Sequence, residues 1–139
     1  MKLQFLIVLL LAPCLANADA FDKYKYISIN DPVSFLKIVN LVMYERLDLV
    51  NDKTEIKNPA PWQNKEIRYK AIECEIQELN QGLLKLFEEN KELVSDRIYK
   101  EQTLFLQQHM THIDNCEHIK SEDSRINWKT VEVIPNAKK

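Results

Sequence analysis

The chain has 139 residues, 45% of them hydrophobic and 29% charged, with a formal net charge of −2. That length suits one domain with a sizeable core, and the interspersed charges, with no basic patch threaded by aromatics, argue against nucleic acid as the natural partner. A single glycine, Gly82, among abundant Glu, Lys, Leu, Ile and Gln argues for long helices rather than a sheet protein with several tight turns.

Residues 1–18 read as a secretory signal peptide. Lys2 gives a short positive start, Leu3 to Ala12 form an apolar run broken only by Gln4, and Pro13 ends it. Ala16-Asn17-Ala18 then places small residues where a signal peptidase reads. Cleavage after Ala18 leaves residues 19–139 as a single secreted helical domain in an oxidising extracellular compartment. Its net charge is −3 once Lys2 has left with the leader. The apolar run is shorter than the roughly 20 residues a membrane span needs, and the mature chain offers no span of its own. No Asn-x-Ser/Thr acceptor for N-glycosylation occurs.

Residues 19–31 form an N-terminal arm. Its aromatic, loosely alternating stretch Phe21 to Ile29 suits an extended segment or a short strand, whose one available partner is Thr130 to Ile134. Asn30-Asp31-Pro32 is a helix start, with Asp31 as cap and Pro32 where no backbone donor is needed. The first helix is expected over about 32–50, ending at Asn51-Asp52. Eleven of its 18 residues from Val33 to Val50 are Val, Leu, Ile, Phe or Met, which reads as a central element.

A linker containing Asn58-Pro59-Ala60-Pro61-Trp62 precedes a second helix, over about 63–90. Tyr69, Ile72, Ile76, Leu79, Leu83 and Leu86 alternate spacings of three and four, a packing seam, while Ile67, Ala71 and Cys74 make a second apolar face. Gly82 within it marks a kink or a close crossing. Ser95-Asp96 is a cap for a third helix over about 96–119, with apolar stripes through Ile98 and Phe105 and through Tyr99, Leu106 and Met110. A polar tail, residues 120–139, closes the chain.

Cys14 leaves with the leader, so Cys74 and Cys116 remain, and secretion makes a disulfide the default. One unbroken helix from 63 to 119 would hold the two roughly 63 Å apart at ~1.5 Å rise per residue, whereas a disulfide needs Cα atoms within about 7 Å. The chain must therefore reverse near the midpoint, residue 95, where Ser95-Asp96 independently suggests a cap. A compact three-helix bundle with one disulfide and irregular arms follows as the expected fold.

The three histidines, His109, His112 and His118, fall within ten residues. On a helix, His109, His112 and Cys116 share a face, and with Cys74 they could ligate a metal, but a disulfide removes both thiolates. A two-histidine surface site on His109 and His112 is the residual metal alternative, and no cofactor is expected. No Gly-x-Ser-x-Gly, His-Glu-x-x-His or Gly-rich phosphate loop occurs, so the expectation is not an enzyme. A cysteine enzyme using Cys116 and His112 would need a free thiol. The apolar surplus of the first helix points instead to non-enzymatic binding, of an extracellular protein partner or a small hydrophobic ligand, or to a dimer. Trp62 and Trp128 beside loops, and Phe35 and Met43 on the first helix, are the candidate contacts. A structural or assembly role in an extracellular fluid or matrix is the alternative.

Overall fold

The structure, a computed structural model, describes residues 19–56 and 64–123. The signal-peptide reading (residues 1–18), the linker with Trp62, and the tail with Trp128 and Thr130 to Ile134 lie outside the described residues. The described chain is mainly helical and contains no strand. After a 3-10 turn at Asp22–Tyr24 come α1 (Pro32–Glu55), α2 (Lys65–Glu89), a second 3-10 turn at Lys91–Leu93 and α3 (Asp96–Gln108). A fourth helical segment, α4, covers residues 116–123.

Local chemistry sets the helix starts. The Asp31 carboxylate accepts from the Ser34 amide at 2.8 Å, the Ser34 hydroxyl takes the Asp31 N–H, and Pro32 opens α1. Asn64 caps α2 by accepting from the amides of Glu66 and Ile67. Ser95 caps α3 through the Ile98 amide, as the sequence predicts. The reversal falls at 90–95, and it brings Cys74 and Cys116 together as a disulfide with Cα atoms 5.5 Å apart.

α2 is the central element. It packs on α1 along one side and on α3 along another. The seam residues Ile72, Ile76, Leu79, Leu83 and Leu86 are buried, and so are Ala71 and Cys74 of the second face. α1 contributes Phe35, Ile38, Val39, Val42 and Leu49 to the same core, and α3 contributes Leu106. The expectation that the first helix would be central is thus corrected. α1 is buried on one side only, and its outward residues Val33, Leu41, Tyr44 and Leu47 remain exposed.

Three boundaries also differ. α1 continues past Asn51-Asp52 to Glu55, because Lys53 reaches α2, where it pairs with Glu73 at 2.7 Å and lies over the Tyr69 ring. The arm is no strand: the amides of Asp22, Tyr24, Lys25 and Ile27 each bond a carbonyl three residues back, which curls it into successive turns. The single third helix expected over 96–119 is two, α3 and α4, separated by a non-helical segment at 109–115. The three-helix bundle therefore becomes four helical segments among the described residues.

The break at 109–115 is held from α2. The buried Gln77 amide donates to the Ile113 carbonyl at 3.2 Å and accepts from the Ile113 amide at 2.7 Å. The wholly buried Asn80 donates to the His109 carbonyl at 3.2 Å and accepts from Arg46 Nε at 2.7 Å. Two side-chain amides thus satisfy backbone groups that a continuous helix would have paired internally. Asn115 completes the turn at φ 62°, a left-handed conformation that asparagine adopts more readily than most residues, and its carbonyl accepts the Ile119 amide.

Candidate functional site

The arm folds back onto α1 and α2, and four contacts fix it. Glu78 of α2 accepts from the Ala20 amide at 2.8 Å. Glu45 of α1 accepts from the Tyr24 hydroxyl and from Lys23. The Phe21 ring lies directly on Gly82, so close that a Cβ there would sit 2.1 Å from the ring. The glycine read as a kink or a crossing is a close approach, made by an arm side chain rather than by a helix. Only a residue without a side chain leaves that space.

Between arm and α2 lies a half-enclosed cleft of about 360 Å³. Phe21, Tyr24, Ile27 and Ile29 line it from the arm, with Gly82 and Leu86 from α2. Polar groups ring it: Asp19 and Lys25 on one side, and Glu78, Gln81, Lys85, Glu89 and Asn90 on the other. The lining is of mixed character, which suits an amphipathic rather than a purely apolar molecule, and the volume falls toward the lower end of the roughly 300–1,000 Å³ that small-ligand sites span.

The charges near the cleft are mostly paired. Asp22 and Lys25 form an ion pair that holds the Asp22 carboxyl below its ordinary range and raises Lys25. Lys85 lies 3.7 Å from Glu89 on the exposed side of α2. Burial, then the Glu45 carboxylate, pushes the Tyr24 hydroxyl well above the ordinary tyrosine range, so it stays a protonated donor. Behind the cleft, Glu78 meets Lys120 of α4 at 2.6 Å, with both side chains only 11% exposed. Glu78 therefore ties together the arm, α2 and α4.

A second charged group lies beside it. Arg68 pairs with Asp123 at 3.0 Å. Burial raises the Glu75 carboxyl above its usual range, against the pull of Arg68 and Lys120. Across α2, burial lowers Arg46, whose guanidinium lies over the Phe105 ring while bonding Asn80.

The candidates named from sequence are distributed differently. Phe35 is fully buried, edge-on to Phe87 with ring centroids 5.3 Å apart, and belongs to the core. Met43 is partly buried against that core. Neither lines the cleft. His109 ends α3, with Nδ1 2.8 Å from the Phe105 carbonyl and its ring 4.3 Å from the Phe105 ring. His112 is exposed in the non-helical segment. The shared helical face assumed for His109, His112 and Cys116 therefore does not form, and Cys116 is bonded to Cys74. Among the described residues no group of three or more His, Cys, Asp and Glu side chains is placed to hold a metal ion, and no helix is long and apolar enough to cross a membrane.

Sequence reasoning missed the cleft. Its signals were an aromatic arm and one helical glycine, and what joins them is the packing of Phe21 on Gly82, 61 residues away in the chain. No protein-family model, no curated protein and no solved structure matches the chain.

Proposed function

We propose that the protein is a secreted, non-enzymatic binding protein that holds a small amphipathic ligand in the cleft between its arm and α2. The observation that carries this reading is the cleft itself, about 360 Å³ and lined by aromatic and aliphatic residues together with charged ones. The leader-like residues 1–18 support export, and the Cys74–Cys116 disulfide suits an oxidising compartment. The fold expected from sequence, a bundle around one bridge, supplies a rigid α2 as one wall and a curled arm as the other.

The test is a titration of the disulfide-bonded protein with an apolar dye whose fluorescence rises on leaving water. Saturable binding at one site per chain is expected, displaced by long-chain amphiphiles. Gln81→Trp places bulk at the cleft rim from an exposed helical position, and it should weaken dye binding at least tenfold (about 1.4 kcal/mol) with an unchanged helical circular dichroism spectrum. Dye binding that Gln81→Trp leaves untouched would put the ligand elsewhere and remove the cleft from consideration.

A further inference from the structure

The outward side of α1 carries a row that the fold leaves uncovered. Val33, Leu36, Leu41, Tyr44 and Leu47 are 77%, 43%, 45%, 69% and 51% exposed. At 100° per residue they fall within an arc of about 140°, opposite Phe35, Ile38, Val39, Val42 and Leu49 in the core. They span about 21 Å of helix at 1.5 Å per residue. Single exposed apolar residues need no explanation, but five within one arc over four turns, with Lys37 and Asn40 among them, form a patch of the kind that marks an interaction surface.

Two charges lie within that arc between Val33 and Asp48, namely Lys37 and Asp48 themselves. Both are exposed, and neither has an ion-pair or hydrogen-bond partner among the described residues. Three other charged residues of α1, Glu45, Arg46 and Lys53, are held by groups in the arm or on α2. Lys37 and Asp48 also stand equally far from the point midway between Val42 and Met43. A two-fold axis through that point, with two α1 helices antiparallel, brings Lys37 of each copy to Asp48 of the other. The same axis sets Leu41 against Tyr44 of the second copy, and brings Leu36 two residues out of step with Leu47. One placement thus serves both the two charges and the apolar centre at Leu41 and Tyr44, the self-complementarity a closed two-fold interface requires. One charge of each sign does not suit an anionic membrane surface, which selects for clustered lysine and arginine.

We propose that the outward face of α1 is the interface of an antiparallel homodimer, with Lys37 of each chain paired to Asp48 of the other across an apolar centre at Leu41 and Tyr44. It is independent of the cleft and its ligand, because α1's outward face and the cleft share no residue.

Sedimentation equilibrium of the full secreted chain tests this. A monomer–dimer equilibrium is expected at about 100 µM or below. Tyr44→Glu should abolish it. Lys37→Glu and Asp48→Lys should each weaken it at least about tenfold, and the two together in one chain should restore it to within about threefold, because the swapped charges pair again. These positions are exposed, so circular dichroism and the disulfide should be unchanged in every variant. A chain that stays monomeric throughout would overturn the proposal, and so would a dimer indifferent to Tyr44→Glu. A dimer lost in both single charge variants but not recovered in the double one would overturn the antiparallel register. Binding to vesicles of phosphatidylcholine and phosphatidylserine by a strictly monomeric chain would assign the face to lipid instead.

Discussion

Gly82 and Phe21 depend on each other, and that dependence has a measurable sign. Alanine is favoured over glycine within a helix by about 1 kcal/mol, yet an alanine methyl at 82 would collide with the Phe21 ring. Gly82→Ala should therefore lower the melting temperature of the native chain. In a Phe21→Ala background the same substitution should raise it, by an amount reflecting the propensity term alone. Thermal unfolding of the four proteins completes the cycle, and equal effects of Gly82→Ala in both backgrounds would show that the ring does not rest there. Glu75 gives a pH-dependent counterpart. Burial raises its folded-state pKa above the unfolded value, so the protonated form favours the fold. Its contribution is fully present below the ordinary glutamate pKa of about 4.3 and is lost as pH rises through the folded value. Glu75→Gln should consequently stabilise the protein at pH 7, with the gain fading toward pH 4. A loss of stability at pH 7 would mean that attraction to Arg68 and Lys120 outweighs burial.

Helices whose ends are marked locally were legible in the sequence. Asp31-Pro32 and Ser95-Asp96 name their own caps, and the alternating seam from Ile72 to Leu86 names its own buried face. The reversal near residue 95 was legible through the disulfide, because two thiols 42 residues apart cannot meet along one helix. The split between α3 and α4 was not. No glycine or proline lies between Leu83 and Ile134 to announce it, and the groups that hold the broken segment, Gln77 and Asn80, belong to another helix. Replacing the wholly buried Asn80 with Ala should leave the His109 carbonyl and Arg46 without that amide, at a loss of about 1–3 kcal/mol. Urea unfolding measures this, and faster hydrogen exchange confined to residues 109–115 would locate it; an unchanged midpoint would leave the break to Gln77 and Asn115. The disulfide closes the same hairpin of α2, α3 and the start of α4. In the chain-entropy view, Cys74→Ala with Cys116→Ala should destabilise by about 4 kcal/mol while keeping most helical signal. A midpoint shift near zero would show that packing alone fixes the hairpin.

Taken together, the fold is an α2 spine with partners on several sides: α1 on one, α3 on another, and α4 and the arm meeting at Glu78. Sequence placed the apolar surplus of α1 at the centre because composition reports how much apolar surface a helix has, not which side is covered. α2, with its two buried arcs, takes that place, and α1 keeps an uncovered row. The cleft escaped notice for a related reason. Its walls come from an arm whose backbone–backbone hydrogen bonds are local turns and from a helix face that also carries the charges Glu78, Lys85 and Glu89. Neither half looks like a site until Phe21 settles on Gly82 and Ala20 on Glu78. The ligand reading can be tested without choosing a ligand in advance. Native mass spectrometry of the chain recovered from culture medium should show a non-covalent small-molecule adduct. The adduct should disappear on organic extraction and be absent from Gln81→Trp prepared alongside. A single bare mass, identical before and after extraction and in both proteins, would contradict the proposal that this cleft binds a small amphipathic molecule.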